Sequence, residues 1–340
     1  MTLNVIKSKL KTEEYDFLRT HKNLGDNIIL LGLGGSHAYG TNMETSDLDV
    51  RGIALNNARD ILLKKDFEQV VNEQTDTTVY SFDKIIPLLT NCNPNTIELL
   101  GLKPEHYLHI GKVGQQLLDN KEMFLSQRAI HSFGGYANQQ LRRLENCTTR
   151  ASDYHLRERH LLKVLQGVAD NFKDKFSQYH EDAVKMRIDH SERLGEEIYV
   201  DLDFKKYPLR DLNMILGETV QIERDYNKLG KRNGNAIKAG KLEKHAMHLV
   251  RLYHMVFDIL ERKQIITYRE EDHELLMKIR NGGFNKDEHT LSDEFFQMGD
   301  ELEQRLEYDK KNTDLPKNPD YKRIEDFVIS VNERIVKTQL

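Results

Sequence analysis

Apolar and polar positions change rhythm near residue 112. Before it, short apolar runs are bounded by glycine, proline and asparagine; after it, apolar residues recur at helical spacing over long segments. Residues 9–23 pattern as an amphipathic helix, and Asn27–Ile28–Ile29–Leu30–Leu31–Gly32–Leu33 as a buried strand. Ser36 opens a short helix or turn, and the next strand carries Asp47 and Asp49. Phe67–Val71 and Thr75–Ser81 read as further strands, with Asp76, Thr78 and Tyr80 sharing one face by parity. Phe82–Leu89 begins a helix interrupted by Pro87, Asn91–Asn95 is a turn, and regular structure resumes over Thr96–Leu100.

Helical patterning then covers residues 112–119, 122–148, 153–173, 179–194, 209–226, 240–262, 270–281 and 290–310. A linker with Pro316 and Pro319 leads into a last amphipathic helix near 321–337. The fold class expected is α+β: a head of short mixed sheet with flanking helices, followed by a large mostly helical region. The divisions fall at 1–111 for the head, 112–310 for the helical region and 311–340 for the linker and last helix.

Composition changes this picture little. A charged fraction of 31% and a hydrophobic fraction of 38% over 340 residues suit a folded chain rather than a disordered one. The net charge of -5 excludes a global positive field that draws nucleic acid, though not a local basic groove. Cys92 and Cys147 form neither a disulfide framework nor a zinc spacing. Met1–Lys7 lacks the apolar core of a secretion signal, and no uninterrupted apolar stretch is long enough to cross a membrane. The expectation is a cytoplasmic protein without a membrane partner; the oligomeric state is left open.

The chemistry concentrates in Leu33–Gly34–Gly35–Ser36–His37–Ala38–Tyr39–Gly40–Thr41 and Ser46–Asp47–Leu48–Asp49–Val50–Arg51–Gly52. Small residues after a strand let backbone N–H groups approach phosphate, and the Ser36 hydroxyl adds a donor. Alone, this is equally a plain strand-to-helix turn. Asp47 and Asp49, two apart on an extended segment, face one way, and two like charges so placed call for a hard cation such as Mg²⁺. A third carboxylate completes a two-metal clamp. Asp76 is the candidate, and the competing reading makes it a turn residue that opens its strand. The chain has neither a G-x-x-x-x-G-K-[ST] loop nor a G-x-G-x-x-G fingerprint, and no Ser/His/Asp or Cys/His hydrolytic set stands out.

The run from Gly35 to Gly52 resembles the nucleotidyltransferase superfamily that includes DNA polymerase beta. More closely, it is similar to a bacterial and phage family labelled RNA repair pathway DNA polymerase beta family. Further matching pieces are Asp76 with Tyr80 and Ser81, Asn93–Pro94–Asn95 with Glu98, then Phe133, Gly135 and Tyr136, and finally Lys244, His245, His248 and Arg251. The resemblance implies a polymerase-beta-like catalytic head over 1–111 and a substrate-shaping helical domain over 112–310. It implies that Gly35 and Ser36 hold a triphosphate, that Asp47 and Asp49 bind Mg²⁺ (with Mn²⁺ as a substitute), and that Asp76 is the third acid. The implied activity is transfer of a nucleoside monophosphate from an NTP, ATP foremost, to a hydroxyl with release of pyrophosphate. An RNA 3′ end is one acceptor; nucleotidylylation of protein by the same donor site and an inactive nucleotide-sensing or partner-binding module are the alternatives.

Further candidates for nucleotide binding surround these motifs. Tyr39 and Arg51 lie within them. Tyr136 and Arg143, with Gln139, share a helix face where an aromatic ring and a basic group suit a base. On the helix after Gly240, Leu242, Ala246, Leu249, Tyr253, Val256, Phe257 and Leu260 form an apolar stripe, with Lys241, Lys244, His245, His248 and Arg251 towards its edge. These last are either contacts to phosphate, nucleotide or acceptor, or ordinary helix-flank residues. The basic segment Lys228–Lys238 is a candidate RNA contact or a solvated loop.

Overall fold

A computed structural model describes residues 2–65, 67–137, 184–191, 195–202, 242–287 and 290–337, and the single positions 140, 141, 144, 217 and 220. The expected helices at 153–173 and most of 209–226, the basic segment Lys228–Lys238, and the candidates Gln139, Arg143 and Lys241 lie outside the described residues. Two compact units form. The first comprises Met1–Ala137, Val250–Met277 and Glu301–Leu340; the second comprises Asn138–Leu249 and Lys278–Asp300.

The first unit is built on strands β1 (Ile28–Leu33), β2 (Val50–Ala54), β3 (Gln69–Asn72), β4 (Thr77–Ser81) and β5 (Tyr107–Ile110), ordered β3-β4-β2-β1-β5 in one sheet. An unbroken apolar run makes β1 a strand buried along its whole length. It pairs antiparallel with β2 and β5, whereas β2 and β4 run parallel. That parallel pair requires a crossover, supplied by a short helix and β3. Its register sets Val50 beside Thr77 and Arg51 beside Thr78.

Helices of this part are α1 (Leu3–Lys9), α2 (Phe17–Thr20), α3 (Gly35–Tyr39), α4 (Ala58–Leu63), α5 (Phe82–Thr90), α6 (Pro94–Ile97) and α7 (Lys112–Asp119). Ser81 caps α5, its Oγ accepting from the Lys84 N–H at 3.1 Å. The helix continues through Pro87, which removes a single backbone donor. What holds it is the buried face Phe82, Ile85, Ile86 and Leu89, each large apolar side chain contributing about 1.5–3 kcal/mol on burial.

The later helices are α8 (Leu242–Phe257), continued by a π-helical turn over Asp258–Arg262, then α9 (His273–Arg280), α10 (Asp293–Asn312) and α11 (Tyr321–Val336). The apolar stripe read on α8 is buried throughout. Within the first unit, α11 returns to the head. Phe327 packs with its ring centroid 6.1 Å from that of Phe82, and Arg334 and Arg323 donate to Gln116 and Asn120. In the second unit, β6 (Val184–Ser191) and β7 (Gly195–Leu202) pair as an antiparallel hairpin, and Phe284 and Phe295 meet edge to face. Among the described residues no helix is long and apolar enough to cross a membrane.

Several expected elements are corrected. The single helix expected over 9–23 is instead a 3-10 turn at Glu13–Tyr15 and the short α2, with α1 ending at Lys9. The helix over 122–148 begins as a 3-10 turn at Lys121–Phe124 and passes through a π turn at Ile130–Gly134. The helix over 179–194 is largely β6: Val184, Met186 and Ile188 alternate with polar residues and pair with Leu202, Val200 and Ile198. That period of two identifies a strand. The acids Asp47 and Asp49 precede β2, and Asp76 precedes β4 in a turn at φ +43°.

Candidate active site

The site forms where β1 ends. Gly34 is extended and donates its N–H to the Asp49 carbonyl at 2.9 Å, tying the turn to the segment that enters β2. Gly35 then takes φ +52°, a left-handed conformation that favours glycine. A Cβ there would stand 1.8 Å from Oδ2 of Asp49. The turn and the carboxylate therefore share one spot, with the half-exposed Ser36 next along α3.

The segment before β2 already alternates as a strand does: Leu48 and Val50 are buried, whereas Asp47 is exposed and Asp49 and Arg51 half-buried. Parity thus puts Asp49 and Arg51 on one face although the strand starts only at Val50. The Val50 N–H donates to the Asp76 carbonyl at 3.2 Å, which brings Asp76 alongside. Arg51 lies between the acids, Nη2 standing 3.4 Å from Oδ1 of both Asp49 and Asp76. The structure therefore brings Gly35, Asp49, Arg51 and Asp76 together, with Asp47 exposed two positions before Asp49.

Two expected nucleotide contacts lie inside the protein. Tyr39 is buried, its hydroxyl donating to Glu98 and its ring covered by the Arg251 guanidinium at 3.4 Å from the centroid. Burial pushes the Tyr39 phenol well above its ordinary value, so it stays a neutral donor. Burial likewise pushes the Glu98 carboxyl up, against the pull of Arg251, the Tyr39 hydroxyl and Arg51. Tyr136 is half-buried in the same unit. Lys244, exposed, and His245 and His248, half-buried, belong to the second unit.

Sequence reasoning passed over the support of α3. Glu98 was legible as an acid inside the apolar run Ile97–Leu100, a position that demands partners. Thr267, Arg269 and His273 carry no such local signal. Thr267 Oγ1 donates to the Glu98 carbonyl at 2.6 Å, the Arg269 N–H reaches the Tyr39 carbonyl at 3.3 Å, and His273 Nε2 lies 3.0 Å from the Gly40 carbonyl.

Asp49 and Asp76 converge on a positive group, and their oxygens are the hard donors Mg²⁺ takes. The donor set fits an ion that keeps water and phosphate among its ligands. Among the described residues no three His, Cys, Asp or Glu side chains stand together as a preformed metal cluster.

Residues 10–182, half of the 340-residue chain, match the family described as the RNA repair pathway DNA polymerase beta family. The chain belongs to this family. Membership carries nucleotidyltransferase-type activity and use of a nucleotide substrate in general. The matched range of the family includes Gly35, Ser36, Asp47, Asp49, Arg51, Asp76 and Glu98, and ends before Lys244, His245, His248 and Arg251. No curated protein and no solved structure matches the chain.

Proposed function

We propose that this protein transfers a nucleoside monophosphate from an NTP, ATP foremost, to a hydroxyl, with an RNA 3′ end as acceptor. The reading is carried by the contact between the glycine turn and Asp49: Gly34 bonds to its carbonyl and Gly35 leaves space for its carboxylate. A triphosphate on the turn thereby lies beside the acid.

In this reading the N–H groups at Gly35 and the Ser36 hydroxyl hold the triphosphate. Asp47, Asp49 and Asp76 hold Mg²⁺, or Mn²⁺ in its place. Bound there, the ion neutralises phosphate charge and lowers the pKa of the acceptor hydroxyl. Asp76, the most exposed of the bridged pair, takes the acceptor proton. The acceptor oxygen bonds to the α-phosphorus, the α–β bridging bond breaks, and pyrophosphate leaves with the electron pair. Positioning and electrostatics suffice for such a transfer, so no protein nucleophile is required. Tyr136, in the same unit as the acids, is a further proposed nucleotide contact. Tyr39 and Arg251 act from beneath, by fixing α3. A cytoplasmic setting suits the free thiol of the buried Cys92.

The test supplies each α-labelled NTP with Mg²⁺ to the protein and, in parallel, to an Asp47→Asn/Asp49→Asn variant, with an RNA pool or with lysate protein as acceptor. Label on RNA ends with release of pyrophosphate is expected. Label on protein alone moves the acceptor to a side chain. Transfer no higher than the double variant's in every reaction overturns the proposal.

A further inference from the structure

The acid pair Asp49–Asp76 already has a counter-ion, and it is part of the chain. Arg51 Nη2 stands 3.4 Å from Oδ1 of each acid, longer than the 2.7–2.9 Å of a strong charge-assisted hydrogen bond. Its Nη1, also 3.4 Å from Asp76 Oδ1, donates to the Asp76 carbonyl at 2.7 Å and the Val50 carbonyl at 3.1 Å. The guanidinium is thus tied to backbone and only loosely to the carboxylates.

Its place is built into the fold. Parity sets Arg51 on the face of Asp49, and the parallel register of β2 and β4 brings Asp76 to its other side. Gly34 leaves room for its stem, since a Cβ there would come within 3.0 Å of Arg51 Cγ. The side chains of Arg51 and Asp49 are 22% and 18% exposed, against 55% for Asp76. Two of the three charges are therefore partly withdrawn from water, where their mutual attraction counts for more.

We propose that Arg51 is an intrinsic counter-cation that keeps bare divalent metal off Asp49 and Asp76 and yields them to a metal–nucleotide complex. The phosphates of that complex accept from its planar fork of N–H donors, a better match than carboxylate oxygens at 3.4 Å. Because the carbonyls keep the guanidinium tethered, Arg51 releases the acids by a short movement and stays beside the phosphates. The inference rests on reading these acids as metal ligands. Its consequence is an order of binding: nucleotide and metal enter together, and metal alone binds poorly.

The effects on the two ligands have opposite signs, which makes the test sharp. Binding of Mn²⁺ alone is titrated by the electron paramagnetic resonance of the free ion. Binding of Mn²⁺ with a non-hydrolysable NTP is titrated in parallel. Arg51→Gln is expected to bind Mn²⁺ alone about tenfold more tightly and Mn²⁺–nucleotide about tenfold more weakly. If Arg51→Gln lacks a cooperative thermal transition, Arg51→Lys carries the test, with a gain for Mn²⁺ alone of about threefold because it keeps the charge but not the fork. Unchanged or weaker Mn²⁺ binding in the folded variant overturns the proposal. Asp49→Asn separates the two levels of argument. If it removes Mn²⁺–nucleotide binding while Arg51→Gln tightens nothing, the inference about Arg51 fails alone. If it leaves Mn²⁺–nucleotide binding intact, the metal-ligand reading itself fails.

Discussion

Gly35 has room for a hydrogen and nothing larger. Its φ of +52° is strained for any L side chain, and a Cβ would overlap the Asp49 carboxylate at 1.8 Å. A Cβ at Gly34 would meet Arg51 Cγ at 3.0 Å, a less severe approach. Both glycines face Asp49: a Cβ at Gly34 would stand 3.2 Å from its Cβ and one at Gly35 would meet its carboxylate, and Gly34 also faces Arg51. Gly35→Ala is expected to cost about 1–3 kcal/mol of stability and to lower nucleotidyl transfer about a hundredfold by pushing Asp49 off the turn. Gly34→Ala is expected to do less of both. Thermal melts and initial rates of the two variants check the order; equal, wild-type-like values for Gly35→Ala would contradict it. At this scale Gly35, Asp49 and Asp76 were legible as candidates, because small residues beside paired acids stand out in the pattern, and the structure brings them together. Arg51 was legible as a nucleotide candidate, but its seat between two carboxylates depends on the parallel register of β2 and β4, which local pattern does not carry.

α3, only five residues long, is too short to be stable by itself. Its end is held by residues more than two hundred positions away: Arg251 on the Tyr39 ring, the Arg269 N–H on the Tyr39 carbonyl, His273 on the Gly40 carbonyl. That strap is braced by its own buried charges. Arg269 pairs with both Asp258 and Asp272, and His254 Nδ1 stands 2.9 Å from Asp272. Burial pushes the Asp272 carboxyl up, but His254 and Arg269 outweigh it and hold it at about 2. For Asp258 burial prevails over Arg269 and Arg262, and its carboxyl lies above its ordinary value. The sign for Asp272 follows from linkage: its folded value lies below the unfolded one of about 3.9, so its contribution is complete above that value and is lost as pH falls towards 2. The difference in melting midpoint between the wild type and Asp272→Asn is therefore expected to be largest above about pH 4 and to shrink on acidification. A gap that stays constant from pH 5 to pH 2.5 would remove Asp272 from the bracing. The helices themselves were readable, α7 and α8 above all, because a long apolar stripe has one interpretation. The hairpin of β6 and β7 was not read, although Val184, Met186 and Ile188 alternate; charged residues between them suit a helix face equally well.

The unit built on the five-stranded sheet is not a contiguous piece of chain. The family match ends at residue 182, yet the unit that contains the site also takes in Val250–Met277 and Glu301–Leu340. Linear patterning shows where an element begins and ends, but not that α11 packs Phe327 on Phe82 or that Thr267 closes over Glu98. Those contacts bury groups that residues 1–182 alone would expose: the Phe82 ring, the Tyr39 ring, and a Glu98 carboxylate whose neighbouring charge Arg251 would be gone. Each large apolar side chain returned to water forfeits about 1.5–3 kcal/mol, and the lost contacts of Thr267 with Glu98 and of Arg251 with Tyr39 add to it. Together they are comparable with the whole stability of a typical domain, about 5–15 kcal/mol. The fragment 1–182 is thus expected to show no cooperative thermal transition and to bind a hydrophobic dye, whereas the full chain melts cooperatively and does not. A cooperative melt of the fragment at the full chain's midpoint would mean that the matched segment folds by itself, and that residues after 249 merely rest on a finished head.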